Sequence, residues 1–376
     1  MIKVITPVGM SVFENYIKEN DNVIFRNAYI PIKENKYRAD DLNKENNRRK
    51  VIENTLNEKW FRNNINASAE IKSLIKLKEQ LQEDFDIYLL YSDTAISRLA
   101  AEILQRAITY YESLKKSEIR IQKIEELQIW NKEEFIKGMT NLVRTINNIA
   151  KGYWENIIIN ITGGYKATIP YLTLLGQINR CSIYYIFEDT DTLIKIPYLP
   201  IDIKWDLFDE YWKYIEKVEH PKIHPKDDLP YCFLENLKSL VIEEKINSKT
   251  YVSLNPFGEI LWEKYKSRYF IFYAPQDVYE DIEKQAYIRE IITTKFYKKE
   301  IRENKTQTKN NHRVYDDGNN PYRIFYFEED NKIYIYKTFE SHDNYEDYLN
   351  KYPFNDNLKN QIIRTSKLYK KEVKNV

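Results

Sequence analysis

The sequence predicts a multidomain protein with an N-terminal α/β domain on a parallel sheet, a helical middle segment and a C-terminal α+β domain. Short apolar, β-branched runs near residues 2–5, 87–90 and 157–159 each precede turn-forming residues and a helix-like segment. Near the C-terminus, two aromatic-rich runs lie close together, as in an antiparallel hairpin with one covered face. A chain of 376 residues accommodates two or three such domains.

The amino-acid composition limits the classes of protein to which the chain can belong. The chain has 58 basic and 57 acidic residues, a net charge of +1 and a mean hydropathy of −0.65. No apolar run approaches the roughly 20 residues that span a bilayer, and Met1 runs directly into a strand, so we expect neither a membrane segment nor a signal peptide. Cys181 and Cys232 form no metal or disulfide pattern, which suits a reducing cytoplasm. Because the net charge is near zero, any RNA contact must come from a local patch.

The most informative segment is 157–167, where an apolar run is followed by two adjacent glycines. The whole chain has only eight glycines, so this pair is notable. A strand that ends in a glycine turn before a helix presents backbone N–H groups, which bind anions. Gly163 and Gly164 supply the turn, Lys166 a positive charge, and Asn160 and Thr162 short polar groups. The spacing is neither a dinucleotide fingerprint nor a phosphate-binding P-loop. An ordinary strand–turn–helix without a ligand remains the alternative.

Two further loops share this pattern of a strand, a polar turn and a helix start. In a doubly wound sheet, such loops gather at the carboxyl edge of the strands, where ligands bind. The predicted ligand-binding residues from these two loops are Thr6, Pro7, Val8, Gly9, Met10 and Ser11 in the first, and Ser92, Asp93 and Thr94 in the second.

Residues 6–11, 92–94 and 160–167, in this order and followed by 184–189 and 197–201, resemble the CARF domain over about residues 1–200. Tyr165 departs from the smaller residue or Phe that is frequent in that family. The resemblance implies a Rossmann-like fold, a homodimer, and a cyclic oligoadenylate bound across the two-fold axis by the loop residues named above. It further implies the sensor half of an effector in type III CRISPR immunity, with a ring of four adenylates expected.

The middle segment is less distinctive. Residues 204–250 look helical with an interruption at 220–225, and 250–262 reads as a short strand, a Pro/Gly turn and a helix. This part resembles a piece of a winged-helix domain, and a helical spacer is the alternative. Because the segment is charge-balanced, a dimerisation, docking or relay role is favoured over reading DNA.

The C-terminal part starts with a strand at 268–273 and a helix pair across 277–304. Strands at 322–327 and 332–339 follow, with 328–331 as the hairpin turn and a terminal helix after them. Residues 312–315, 322–326 and 333–345 look like the RelE/HigB toxin fold over about residues 266–352. The resemblance implies a small ribonuclease, and many members of that family cleave mRNA in the ribosomal A site.

Metal-free RNA cleavage uses the 2′-OH as an internal nucleophile and needs groups that move protons and stabilise the charged phosphorane. By the resemblance, Arg323 lies where the family carries a catalytic Arg, and Arg313 lies on the preceding strand. Lys337 is on the last strand, His342 and Tyr345 follow it, and Tyr348 competes with Tyr345 for the tyrosine role. Two basic stretches, 295–309 and 367–374, could hold RNA backbone or remain solvated.

Together these features predict a CARF sensor at 1–202, a helical or winged-helix connector at 203–266 and a RelE-like domain at 267–376. The predicted protein is a cytoplasmic, homodimeric endoribonuclease that cyclic oligoadenylate activates, with no metal, no other cofactor and no membrane partner. Its predicted partner is the ribosome with mRNA in the A site, and a ribosomal stalk protein is the predicted docking partner.

Several alternatives stay open. The arginine–histidine spacing of HEPN ribonucleases is missing, since Gln307 and Lys337 stand five residues before His312 and His342. A CARF-regulated, metal-dependent nuclease is a second possibility, and a requirement for metal would favour it. A ligand-gated DNA-binding regulator with a degenerate effector domain is a third. The CARF site could also cleave its own ligand, for which Thr6, Ser92 and Lys166 are suitably placed.

Overall fold

A computed structural model describes residues 1–187, 191–318, 320–330 and 332–374. The chain divides into two compact units, Met1–Trp262 and Glu263–Val376. The predicted division into three domains stays a prediction. Glu188 and Asp189, which belong to the segment that resembles the CARF pattern, lie outside the described residues.

The N-terminal unit is built on a six-stranded sheet with the order β3-β2-β1-β4-β5-β6. Its first five strands are parallel, and the sixth is antiparallel to the fifth. This order is that of a doubly wound Rossmann-type sheet with an added edge strand, as the sequence predicted. The strands are β1 Ile2–Pro7, β2 Phe85–Ser92, β3 Glu118–Ile124, β4 Ile157–Asn160, β5 Ser182–Phe187 and β6 Thr192–Ile196.

Helices cover both faces of this sheet. Val4 belongs to one apolar cluster and its neighbour Ile5 to another, because successive side chains of a strand point to opposite faces. The sheet is therefore buried on both sides, which explains the continuous apolar runs of its central strands. The helices are α1 Ser11–Glu19, α2 Val23–Glu34, α3 Asn46–Thr55, α4 Glu58–Arg62, α5 Ala69–Leu81, α6 Ala95–Ile108, α7 Lys132–Ala150 and α8 Ile169–Asn179.

The sequence predicts helix over both 41–82 and 97–150, which are long and charged, with apolar positions at helical spacing. Strand β3 corrects this prediction for the second stretch. Residues 118–122 alternate between polar and isoleucine side chains, and the strand flanks only β2 in the sheet. A half-exposed edge strand shows this period of two, whereas the buried strands do not. Residues 41–82 form several short helices instead of long ones. Helices α3, α4 and α5 follow a 3₁₀-helix at Ala39–Glu45.

The middle segment combines helices with a three-stranded sheet of order β7-β9-β8. The elements are α9 Trp205–Val218, β7 His224–Pro225, α10 Tyr231–Asn236, β8 Val241–Ile246, β9 Lys249–Leu254 and α11 Pro256–Lys266. The predicted strand, turn and helix over 250–262 are present as β9 and α11. The helical interpretation of 241–250 is wrong, because β8 and β9 pair there as an antiparallel hairpin.

The C-terminal unit has a second six-stranded sheet, with the order β11-β12-β13-β14-β10-β15. Strands β11 to β14 form an antiparallel meander, β10 is parallel to β14, and β15 closes the other edge antiparallel to β10. The strands are β10 Tyr269–Pro275, β11 Thr306–Lys309, β12 His312–Asp316, β13 Arg323–Glu329, β14 Lys332–Phe339 and β15 Ser366–Glu372.

The helices of this unit cover the two faces of its sheet separately. One apolar cluster packs the face of Phe272, Tyr326 and Ile335 against the helices that precede the meander, and another packs Phe325 and Tyr336 against the helices that follow it. The preceding helices are α12 Gln276–Lys284, α13 Ala286–Ile291, a π-helical turn Ile292–Phe296 and α14 Lys299–Asn304, and the following ones are α15 His342–Lys351 and α16 Asp356–Thr365.

The predicted β-α-α-β-β order is present with additional elements, because β11 and β12 lie between its helices and the hairpin, and two helices follow the hairpin. The last helix is not terminal, because the basic tail forms β15, and the hairpin begins later than expected, because β13 continues through Glu329. Asn331 of that predicted turn lies outside the described residues. In the described part of the chain, no helix has the length and apolar character needed to cross a bilayer.

Candidate ligand-binding and catalytic sites

The three predicted loops of the N-terminal unit meet at one edge of the sheet. Pro7 of β1 lies opposite Leu90 of β2, and Ile5 lies opposite Ile159 of β4, so these strands end almost level. Strand β1 has β2 on one side and β4 on the other, and chain order reverses between β1 and β4. A crevice at such a topological switch point is where open α/β sheets bind ligands.

The loops after β1 and β4 touch through their glycines. A Cβ on Gly9 would lie 3.0 Å from the backbone N of Gly164, and a Cβ on Gly164 would lie 2.5 Å from Cβ of Pro7. Gly164 also has a φ of +87°, in the region that L side chains rarely adopt. Close approach of two backbones therefore accounts for these glycines, whether or not a ligand binds beside them.

Two of the predicted ligand residues are buried under the loops. Thr6 and Asn160 are fully buried, and Nδ2 of Asn160 donates to Oγ of Ser73 at 2.7 Å and lies 3.4 Å from Oγ1 of Thr6. The Asn160 Oδ1 accepts the N–H of Thr162 at 3.3 Å, and Thr162 in turn accepts the N–H of Ile186 at 3.0 Å. These side chains hold the loop after β4 in shape, and a direct contact of Thr6 or Asn160 with a ligand would need that network to open.

The loop after β2 is fixed in a similar way. Asp93 is buried, and its carboxylate pairs with Nη1 of Arg38 at 2.9 Å. Thr94 caps α6 by accepting the N–H of Ser97 at 3.2 Å, and its hydroxyl lies 3.2 Å from Oγ of Ser92. Of these three predicted residues, the half-buried Ser92 is therefore the one whose hydroxyl is best placed for solvent or a ligand.

Sequence reasoning missed Glu70 in this site. Glu70 lies in the first turn of α5 with no exposed surface, and its carboxylate accepts the N–H of Gly9 and the hydroxyl of Ser11, both at 2.8 Å. The Oγ of Ser11 also accepts the N–H of Ala69 at 3.1 Å. A Cβ on Gly163 would collide with the Glu70 side chain. No signal in the sequence links Glu70 to a loop 61 residues earlier, because an acidic residue in the first turn of a helix is ordinary.

The accessible part of this site is smaller than the predicted set, because Pro7, Val8 and Gly163 are also buried. Lys166 and Tyr165 are exposed, whereas Met10, Ser11 and Gly164 are half-buried. Lys166 begins a short 3₁₀ turn that leads into α8. The site thus offers one flexible ammonium group, hydroxyl groups and backbone N–H groups at the start of a helix, which is the donor set that phosphates use.

In the C-terminal unit, three of the six predicted catalytic residues meet around one phenol. Tyr345 is buried in α15, and its hydroxyl lies 3.4 Å from Nε2 of His342. The Arg323 guanidinium lies over the Tyr345 ring, 5.3 Å from its centroid. Lys309, which sequence reasoning placed only in a basic stretch, donates from Nζ to the Tyr345 hydroxyl at 3.2 Å. We call Lys309, Arg323, His342 and Tyr345 the tyrosine cluster.

Arg323 is held rigidly at the start of β13. It is nearly buried, and its Nη1 donates to the backbone carbonyls of Asn320 and Tyr322 at 2.6 and 2.8 Å. Its Nη2 forms an ion pair with Asp316 of β12 at 3.0 Å. The cation is therefore fixed beside Tyr345, whereas the His342 side chain is 63% exposed and free to meet a substrate.

The other three predicted catalytic residues lie elsewhere. Arg313 lies on the opposite face of the sheet, where Nη2 donates to Glu303 at 2.6 Å and to the Tyr326 hydroxyl at 2.9 Å. Lys337 and Tyr348 line a cleft of about 560 Å³ between β14 and the ends of α12, α15 and α16. Burial raises the pKa of Tyr348, which favours its neutral phenol.

His312 has a structural environment. It is fully buried on β12, with one ring nitrogen against the backbone carbonyl of Tyr352 and the other 2.7 Å from the Tyr336 hydroxyl. Because a carbonyl only accepts, Nε2 carries the proton, and Nδ1 accepts from Tyr336. Burial lowers the pKa of His312, so the ring is neutral and holds the sheet to the chain after α15.

Four basic residues of the two stretches form ion pairs with acidic side chains. Lys295 and Lys305 both pair with Asp317, and Arg302 is buried against Glu328 at 2.8 Å. In the tail, Lys371 pairs with Glu283, and the segment is a sheet edge. These partners favour a structural role for those four residues, whereas Lys309 belongs to the tyrosine cluster.

The comparisons with known proteins concern mainly the N-terminal region. Residues 65–199 match a family model described as CRISPR-associated protein (Cas_APE2256). This match covers less than half of the chain and supports the CRISPR-associated part of the expectation drawn from the sequence. It includes α5 with Glu70 and the loops after β2 and β4.

Among solved structures, the chain is similar to Can2 from Sulfobacillus thermosulfidooxidans in complex with cyclic tetra-adenylate. The sequence identity is 13% and the TM-score 0.21, over 68% of this chain and 71% of that chain. Among curated proteins, no sequence matches the chain.

Proposed function

We propose that this protein is a cyclic-oligoadenylate-activated, metal-independent endoribonuclease of type III CRISPR defence. The main support for the ribonuclease activity is the tyrosine cluster. Its residues come from separate strands and a helix and meet around Tyr345. It supplies positive charge, a phenol and an accessible imidazole within one small region. Those are the groups that RNA cleavage through the 2′-OH requires.

The proposed reaction is an internal transesterification. The ribose 2′-oxygen attacks the adjacent phosphorus, loses its proton, and displaces the 5′-oxygen of the next nucleotide, which gains a proton. The products are a 2′,3′-cyclic phosphate and a 5′-hydroxyl. In this proposal Tyr345, polarised by the Lys309 ammonium, takes part in moving the 2′-proton, and the exposed His342 protonates the leaving oxygen. Arg323 provides fixed positive charge for the phosphorane.

The sensor half of the proposal has separate support. The match of residues 65–199 to a CRISPR-associated family covers two of the three loops that meet at the sheet edge. The accessible donors at Lys166, Ser92 and the loop after β4 suit phosphate groups. We infer from the CARF resemblance that the ligand is a cyclic oligoadenylate, that four adenylates is the ring size to test first, and that two copies of the chain share it.

A route for the signal can also be proposed. Helix α8 follows the glycine loop directly, and the ring of Tyr171 in its first turn stacks on Phe257 of α11 with centroids 4.5 Å apart. Ile260 of α11 belongs to the same apolar cluster as Leu172. Arg144 of α7 also approaches Glu259 at 3.6 Å. A ligand that shifts α8 would therefore move α11, whose chain continues into the C-terminal unit.

The ribosome is the proposed site of cleavage, with mRNA in the A site. The middle segment is the proposed docking element, with a ribosomal stalk protein as its proposed partner, because its charges are balanced. Deletion of residues 203–255 should then abolish ribosome binding, and binding that survives the deletion would refute the docking role.

The deciding experiment is a translation reaction with ribosomes and a reporter mRNA, to which cyclic tetra- or hexa-adenylate is added. The proposal predicts mRNA cleavage only with one of the rings and engaged ribosomes, with 2′,3′-cyclic phosphate ends. The naked mRNA should stay intact with and without Mg²⁺ or Mn²⁺. A Tyr345→Phe variant serves as the matched control.

Each other outcome identifies the half that is wrong. Metal-dependent cutting of naked RNA or DNA would keep the sensor and replace the effector by a metal-dependent nuclease. Specific binding of promoter DNA without cleavage would favour a ligand-gated regulator. If neither ring has an effect, the sensor assignment is wrong, and loss of the ring on incubation would show that the sensor site degrades its own ligand.

A further inference from the structure

Glu70 occupies donors that the sequence assigned to a ligand. Its carboxylate lies between the loop after β1 and the loop after β4, with Gly163 packed against it. The N–H of Gly9 and the hydroxyl of Ser11 both point at its oxygens at 2.8 Å. These two groups are part of the predicted phosphate-binding loop.

The environment of this carboxylate is that of a bound anion. Glu70 has no exposed surface, and within the described residues no Lys or Arg forms an ion pair with it. A buried carboxylate without a cation is compensated by hydrogen-bond donors, here from the loop, and by its position in the first turn of α5. The loop therefore already satisfies one negative charge.

A phosphate group at the same donors would meet Glu70 as a close like charge. Two anions that share one set of donors in a poorly solvated site repel strongly. The ligand can use Gly9 and Ser11 only if the carboxylate leaves, which requires the start of α5 to move. The Gly163 contact means that such a movement also frees the loop after β4.

We propose that Glu70 is an internal anion that competes with the ligand for the loop after β1 and thereby sets the affinity of the N-terminal site. This inference rests on the proposed binding of a cyclic oligoadenylate. In the free protein Glu70 closes the loop, and a ring of phosphates displaces it. The competition keeps the site closed at low ligand concentration.

The test compares the full chain with Glu70→Gln, which keeps the shape and can still accept from Gly9 but removes the charge. Glu79→Gln is the matched control, since Glu79 is an exposed carboxylate on the same helix. Calorimetric titration with cyclic tetra-adenylate, and separately with cyclic hexa-adenylate, measures the Kd. We expect Glu70→Gln to bind about tenfold more tightly than the wild type, with Glu79→Gln unchanged.

A second measurement does not depend on the variant. Hydrogen exchange of the amides at 68–74 should become faster when the ring binds the wild type, because displacement of Glu70 loosens the first turn of α5. Slower or unchanged exchange there would overturn the proposal.

The outcomes separate this inference from the proposed function. If the wild type binds a ring and Glu70→Gln binds it equally or more weakly, Glu70 is a loop-positioning residue and the competition is refuted. If Glu70→Gln alone binds, the competition is supported in its strongest form. If neither protein binds either ring, both the inference and the sensor assignment fail.

Discussion

The two candidate sites use opposite strategies to place charge. In the N-terminal unit, the buried charge at the loops is negative, from Glu70 and Asp93, whereas the cations Lys166 and Arg38 are at the surface. In the tyrosine cluster, the fixed charge is the cation of Arg323, and the accessible group is His342. The first arrangement suits a site that must open for an anion. The second suits a site whose field exists before the substrate arrives.

The sharpest test of the preorganised field is Arg323→Gln. Removing a fixed cation beside the reacting groups should lower ribosome-dependent cleavage by about 10²–10³-fold, as the loss of a preorganised electrostatic donor does. Binding of the cyclic oligoadenylate should not change, because the sensor site is built from other residues. Measured cleavage rates at saturating ligand give the result, with Lys299→Ala, an exposed cation on α14, as the control.

A cleavage rate for Arg323→Gln within threefold of the wild type would remove the tyrosine cluster from the mechanism. Because Asp316 then loses its partner, thermal unfolding of the variant must be checked first.

The next effect distinguishes the two tyrosines. Tyr345→Phe removes a hydroxyl that contacts Lys309 and His342 but keeps the buried ring. We expect about 10–100-fold slower cleavage, typical for loss of a proton-transfer group, with stability almost unchanged. Tyr348→Phe should have a smaller effect on the cleavage rate. Equal losses, or a larger loss for Tyr348→Phe, would move the chemistry to the cleft that Lys337 lines.

A third experiment probes the packed loops of the sensor. In Gly163→Ala, the added Cβ would collide with the Glu70 side chain, so either that side chain or the loop after β4 must move. Overpacking of this kind lowers the free energy of unfolding by about 1–3 kcal/mol. Hydrogen exchange of the amides in β1 and β4 should report that loss of stability.

Gly152→Ala is the control, because Gly152 has a φ of +85° but open space around it. That variant should lose only about 1 kcal/mol through backbone strain. A loss for Gly163→Ala no greater than for Gly152→Ala would show that the glycine contact is not tight.

The smallest expected effect is on the stability of the N-terminal unit at acidic pH. Burial, with Arg144 and Lys137 nearby and Glu244 opposing them, lowers the pKa of His220 from 6.5 to about 4. Between pH 4 and 6.5 the unfolded chain therefore binds more protons than the folded chain. The contribution of His220 to the free energy of unfolding is complete above pH 6.5 and is lost as the pH falls toward 4. Since the ring is only partly buried, we expect this contribution to the free energy of unfolding to be about 1–2 kcal/mol.

His220→Gln should flatten the fall in unfolding free energy of the N-terminal unit between pH 6.5 and 4, measured by denaturant titration at each pH. His312, whose pKa is also lowered by burial, is the corresponding group in the C-terminal unit and should keep its own pH dependence in this variant. An unchanged slope would mean that His220 is not held neutral by the fold.

Periodicity made the cores of both units predictable. The runs at β1, β2 and β4 are apolar because both faces of those strands are buried, and such runs followed by turn residues gave the doubly wound sheet. The hairpin of β13 and β14 was predictable from its alternating aromatic residues. Edge strands were not, since β3 and β15 are polar on one side and resemble charged helices or tails in a local window.

Local sequence alone determined which residue types stand at the ends of strands, and with them the position of both candidate sites. It could not determine contacts between segments far apart in the chain. Glu70 meets Gly9 and Lys309 meets Tyr345 only after the sheets have formed, and Arg313 lies across the sheet from Arg323 because the registers of β12 and β13 put them on opposite faces. Side-chain partners of this kind depend on strand order and register, which no short stretch of sequence encodes.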